Sequence, residues 1–312
     1  MDTSIQNLIK DFLAYLAEEK KRLPETIRNY NLYLRRFLFW VKNKEIGQVD
    51  AKLIKNYKLW LNKQRDKNGR TLQKNTQNYH LIALRTFLKY LNQKQVKALM
   101  PKQIQLSKLP KRQIEYLESS ELEKFLAAPL NSKEQEIIKL RDKALLETLL
   151  ATGLRVSELA NLKKNDLNLT KSEILLRAKK IKPRITNLSN QARFNLQKYL
   201  AARKDKSEFI FTNHDRANLT RNLSKKDQAL TPRSIQRTVQ KYAQQAGLPK
   251  KVTPAVIRHT FALNQLKQGV KLQDLQEKLG LTSPNAINIY QDLPNINFKN
   301  IFKSFKAKKR KK

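Results

Sequence analysis

The sequence predicts a mainly α protein with a small β-sheet, divided into a helical N-terminal domain and a mixed α/β C-terminal domain. Three observations carry this. Apolar residues recur at helical spacing through most of the 312 residues. That periodicity lapses over residues 94–117, where Pro101, Pro110 and many lysines suggest an extended basic linker. Only three short runs read as strands: EILLR (173–177), PRITNL (183–188) and EFIFTN (208–213). The length suggests about two domains. The expected boundaries are 1–97 for the helical domain, 98–116 for the linker, 117–294 for the second domain and 295–312 for a C-terminal segment.

In the first domain, Leu8, Ile9, Phe12 and Leu16 form one apolar stripe. Two later segments share a pattern: Thr26, Tyr30, Leu34, Phe37 and Trp40 stand at the same offsets as Thr76, His80, Leu84, Phe87 and Tyr90. Each reads as an amphipathic helix with aromatics toward the core and His80 at its boundary. Their polar faces carry Arg28, Arg35, Arg36, Lys74, Arg85 and Lys89.

In the second domain, Ser120 and Glu123 have capping-box spacing at a helix start. Gly153 suits a helix end, and Arg155 opens the next helix beside Ser157 and Glu158. EILLR and PRITNL flank a basic turn, AKKIK. Thr231 and Pro232 start a helix that Gly247 stops; Thr253 and Pro254 start another that Gly269 stops. The last ten residues, KSFKAKKRKK, hold seven basic residues and no acid, and read as a disordered tail.

Charge narrows the function. Lys and Arg number 65 against 26 Asp and Glu, a formal +39. A chain this basic needs a polyanionic partner: nucleic acid first, an anionic membrane surface second. Without cysteine there are no disulfides and no thiolate chemistry. His80, His214 and His259 are far apart in sequence, which argues against a zinc site. No run of apolar residues is long enough to span a membrane, and the N-terminus lacks signal-peptide character. A cytoplasmic protein is expected.

Arg155 and Arg258 lie near two helix starts, where partial positive charge makes a cation unfavourable unless an anion is near. Two guanidiniums on one phosphate would form a strong oxyanion clamp. Read alone, Arg155 with Glu158 is equally a surface ion pair, and Tyr290 among Ile287, Ile289 and Leu293 a packing residue.

ATGLRVSELANL (151–162) resembles the first signature box of the tyrosine recombinases, the phage-integrase family. VTPAVIRHTFALNQLKQGVKLQDLQEKLGLTSPNAINIYQDL (252–293) resembles the second, and RAKKIKPRITNL the hairpin with the family's catalytic lysine. The N-terminal helices resemble its core-binding domain. The likeness spans nearly the whole chain and is nearest to the Xer-type recombinases.

The resemblance implies a site-specific DNA recombinase that cuts and rejoins duplex DNA through a 3′-phosphotyrosine, without metal or other cofactor. Tyr290 matches the nucleophile, Arg155 and Arg258 the phosphate-binding arginines, and Lys179 the lysine that protonates the leaving 5′-oxygen. Lys180 and Lys182 are register alternatives for that role, and His259 reads as a supporting residue. Arg28, Arg35, Lys74, Arg85 and Arg184 are candidate DNA contacts. The partner is duplex DNA, bound by a homo- or hetero-tetramer linked through residues 295–305. Two positions depart from the pattern: Ala255 and Leu281 stand where the family usually has histidine, or at the second position histidine or tryptophan. Thr282 or Lys278 would have to compensate, or the enzyme is slow. A non-cutting DNA-binding relative and a type IB topoisomerase are the alternatives.

Overall fold

The computed structural model describes residues 4–290, except 43, 67, 111–112, 179–180, 215–228 and 284–285, and except the side chains of 178, 181 and 182. The chain divides into two compact units, Met1–Arg112 and Gln113–Lys312. The division falls inside the expected linker. Among the described residues no helix is long and apolar enough to cross a membrane.

The first unit holds helices α1 (Ile5–Glu18), α2 (Pro24–Val41), α3 (Ala51–Lys63) and α4 (Lys74–Gln93). Their apolar stripes meet in one core. Phe12 on α1 lies with its ring centroid 5.8 Å from Tyr30, 5.6 Å from Phe87 and 5.4 Å from Tyr90. Such tilted aromatic pairs add to the stabilisation from buried area. Asp50 starts α3 by accepting the Leu53 N–H at 2.7 Å. His80 is buried, not at a boundary. Its Nδ1 meets the Thr76 carbonyl at 2.9 Å and its Nε2 meets Arg36 at 3.3 Å. A neutral ring serves both contacts, and burial lowers its pKa.

The expected linker is shorter than its composition suggested. Ile104 is fully buried in the first core, with Val96, Ala98, Leu99 and Leu106 packed around it. Asn78 on α4 fastens the segment by exchanging two 2.9 Å hydrogen bonds with the Ser107 backbone. Its apolar residues pack as irregular chain, so they show no period to read.

The second unit contains α5 (Ser119–Ala127), α6 (Glu136–Thr152), α7 (Val156–Ala160), β1 (Leu167–Asn168), β2 (Glu173–Ala178), β3 (Ile181–Asn187), α8 (Asn190–Ala202), α9 (Pro232–Gln245), α10 (Pro254–Lys267) and α11 (Leu272–Leu279). Helix α6 is central, packing on α8 and α10. The described sheet is antiparallel in the order β1-β2-β3, with Ile174 opposite Thr186 and Leu176 opposite Arg184. Two expectations are corrected. Residues 208–213 form only isolated bridges, at Phe209 and Thr212, and the third strand is 167–168 instead. Phe209, Ile210 and Phe211 are all buried, so the run fills the core on every side and does not alternate. Helix α5 is capped two residues earlier than expected: the Glu118 N–H donates to Glu121 at 2.8 Å.

Gly153 ends α6 with φ +59°, and a Cβ there would sit 2.3 Å from the Phe261 ring. Gly247 also has positive φ, but nothing lies within 4 Å of its would-be Cβ. Gly153→Ala should therefore destabilise the second unit by about 2–5 kcal/mol, from the left-handed backbone plus overpacking. Gly247→Ala should cost about 1–2 kcal/mol, from the backbone alone. Urea unfolding of the two variants measures the difference; equal losses would refute the Phe261 clash.

Candidate active site

The site is organised by the C-terminus of α11. Gly280 caps that helix in the left-handed conformation. The last carbonyls of a helix have no intrahelical partner and carry partial negative charge. Here three consecutive ones each receive a guanidinium. Arg184 Nε donates to Lys278 O at 3.1 Å, Arg258 Nη2 to Leu279 O at 2.7 Å and Arg155 Nη2 to Gly280 O at 2.7 Å. A Cβ on Gly280 would lie 2.7 Å from Arg184 Nη1, so glycine is needed both for its φ and for space.

Arg155 is the residue before α7, turned into place by Gly153. Its backbone N–H donates to Glu158 at 2.8 Å, and its Nη1 reaches the other carboxylate oxygen at 3.2 Å. Arg184 Nη2 donates to Glu158 at 2.9 Å. One carboxylate thus braces two arginines. Arg258, on the second turn of α10, also donates to Gly153 O at 2.6 Å. Burial lowers its pKa to about 10, with Arg155 and Arg184 adding repulsion against the pull of Glu158 and Tyr290. At neutral pH it stays charged. Three guanidiniums against the Glu158 carboxylate leave the cluster net positive, a receptive setting for an oxyanion.

Tyr290 lies in a 3₁₀ turn, Asn288–Tyr290, and is 2% exposed. It packs with Phe261, Leu275, Leu279 and Ile287, and Leu281 packs against that cluster. Burial raises the phenol pKa, while the positive charge of Arg258 lowers it. The phenol oxygen is 2.8 Å from His259 Nδ1, with the two rings edge to face at 5.6 Å.

The expected residues distribute as follows. Arg155, Arg258, Glu158, His259 and Tyr290 share this region. Lys179 lies outside the described residues, as do Lys180 and the segment 295–312. Lys182 is on β3. Arg184 lies inside the cluster with its side chain 12% exposed, away from an open surface. Ala255 is exposed on the first turn of α10, and Leu281 is half-buried. Thr282 is exposed; Lys278 Nζ is bonded to Gln265 at 2.7 Å. In the first unit, Arg28, Arg35 and Lys74 are exposed and Arg85 is half-buried. Arg28, Arg35 and Arg36 line a concavity of about 500 Å³ with Phe39 and Trp60. Among the described residues no group of three His, Asp or Glu is placed to hold a metal.

Sequence reasoning missed two features. Arg184, expected among the DNA contacts, bonds a helix end 94 residues away, a placement of which a strand arginine gives no sign in the sequence. His259 was read as supporting only, because its meeting with Tyr290 depends on how the chain after α11 returns to α10.

Comparison with known proteins agrees with this geometry. Residues 115–295 match the phage integrase family, and residues 9–95 match its N-terminal SAM-like domain. The chain is 30% identical to tyrosine recombinase XerD of Listeria monocytogenes, over 96% of this chain and 99% of that one. It is 32% identical to tyrosine recombinase XerA of Pyrococcus horikoshii, over 91% of this chain and 88% of that one. Its fold is similar to the Tn1549 transposon integrase in complex with transposon right-end DNA, with a TM-score of 0.75 at 18% identity, over 97% and 99% of the two chains. Two family matches in sequence order, and relatives aligned nearly end to end, place this chain in the phage integrase family, as a tyrosine recombinase of the Xer type.

Proposed function

We propose that the chain binds duplex DNA and cuts and rejoins it with Tyr290 as the nucleophile. The phenol oxygen attacks a phosphodiester, giving a 3′-phosphotyrosine and a free 5′-hydroxyl. Arg155 and Arg258 hold the non-bridging oxygens as charge builds on phosphorus. Lys179 protonates the leaving 5′-oxygen. The observation that carries this reading is the arginine cluster beside Tyr290, with Arg258 close enough to perturb the phenol. Each guanidinium has five N–H donors, and the hydrogen bonds named above leave donors on Arg155 and Arg258 for a phosphate. The exposed arginines of α2 hold the DNA backbone. Four protomers assemble on DNA, linked through residues 295–305, in the cytoplasm.

Tyr290→Phe removes one oxygen and should abolish covalent adducts on a nicked suicide duplex bearing a site that the chain selects from random-sequence DNA. Duplex affinity should stay within about twofold, since the lost group makes no phosphate contact. An adduct in that variant would show that another residue attacks.

Duplex binding should weaken steeply with salt. If about six to ten phosphates are contacted, affinity falls about 10³–10⁵-fold between roughly 50 and 200 mM salt. A flat response in a titration would refute the DNA-clamp reading.

Ala255 is exposed and Leu281 packs against the apolar cluster that includes Tyr290, so restoring a histidine should differ between them. Ala255→His should raise single-turnover cleavage about tenfold without loss of stability. Leu281→His should lower stability by about 1–3 kcal/mol, by placing a polar ring among apolar neighbours. Equal stability of the two variants would contradict the packing role of Leu281.

A further inference from the structure

The phenol of Tyr290 must lose its proton as it attacks, and its environment does not remove that proton in advance. Burial favours the neutral phenol, and Arg258 only partly offsets this. Ala255, about one turn before His259 on α10, has no acceptor in its side chain and is exposed. Among the described residues, the hydrogen-bond partner of the Tyr290 oxygen is His259 Nδ1, at 2.8 Å. That distance lies within direct proton-transfer reach. The edge-to-face packing of the two rings fixes their approach.

We propose that His259 is a catalytic base, whose Nδ1 takes the phenolic proton of Tyr290 as the oxygen attacks phosphorus. This rests on the reading of Tyr290 as the nucleophile. The step balances. The Tyr290 O–H bond breaks and its proton passes to Nδ1, which requires the resting imidazole to carry its hydrogen on Nε2. The phenolic oxygen's electron pair forms the new P–O bond. The P–O5′ bond breaks, and its pair leaves on the 5′-oxygen, which takes a proton from a separate donor, the role given above to Lys179. On rejoining, the 5′-hydroxyl attacks and gives its proton back to that separate donor, the tyrosine oxygen leaves with the P–O electron pair, and the imidazolium returns the proton to it.

Asparagine places an acceptor oxygen near the position of Nδ1 but does not take up a proton, so His259→Asn separates positioning from proton transfer. The full-length chain would be tested by single-turnover cleavage of the nicked suicide duplex bearing its selected site. A matched duplex would carry sulfur in place of the bridging 5′-oxygen, since a thiolate leaves without needing a proton. His259→Gln, which sets its acceptor further out, is the second variant. Duplex affinity reports that each variant is folded. The expected result is cleavage slowed about 10²-fold or more on both duplexes, with affinity unchanged. Cleavage by His259→Asn at the wild-type rate would overturn the proposal. So would full recovery on the sulfur duplex, because the missing proton would then belong to the leaving group. Wild-type chain that forms no adduct would overturn the nucleophile reading itself, a failure distinct from both.

Discussion

The catalytic unit depends on one polar junction: the last carbonyls of α11, left without helical partners and held by guanidiniums from β3, from the start of α7 and from α10. The junction serves both sides. The helix end gains donors for carbonyls that have no helical partner. The arginines gain fixed positions in spite of burial and mutual repulsion, which together lower the pKa of Arg258, burial most. The chain leaving α11 leads to Tyr290. The turn that carries Tyr290 therefore follows directly from the helix end that the arginines hold. Gly280 is the geometric condition for this, because a side chain there would occupy the space of the Arg184 guanidinium.

The choice of partner matters as much as the placement. Elsewhere in the unit, buried cations are matched with carboxylates. Arg141 donates to Asp142 at 2.8 Å, Tyr242 donates to the same carboxylate at 2.8 Å, and Lys143 meets Glu147 at 2.7 Å. Those groups are neutralised locally and brace α6. The arginines at the α11 end bond mainly to carbonyls, which orient a guanidinium without cancelling its charge. Glu158 alone is shared between Arg155 and Arg184. Positive charge is thus held in place and left unneutralised, which is what stabilisation of a phosphorus-centred transition state requires.

Tyr290 sits in the apolar lining of the same junction, between opposing influences: the pocket favours its neutral form, and Arg258 favours its anion. A phenol so placed resists adventitious ionisation. Its oxygen is held against His259 Nδ1 at 2.8 Å, the contact on which the proposed proton transfer rests.

The sequence by itself determined most of the elements and the family. Periodic apolar stripes gave α1, α2 and α4, Gly153, Thr231 and Thr253 marked helix ends, and the boxes around Arg155, Arg258 and Tyr290 identified the family. These are local signals: a cap, a stripe or a motif is written within a few turns of chain. Irregular burial was not legible. Ile104 and residues 208–213 are apolar segments that pack without a period, so their sequence resembles a linker or a strand. Only the tertiary structure decided that Arg184 joins the α11 terminus, that Glu158 braces two arginines, and that His259 meets the Tyr290 oxygen. These contacts link residues 26 to 94 positions apart. Hydrogen bonds are directional and short, so they exist only once packed helices and strands have fixed which faces meet.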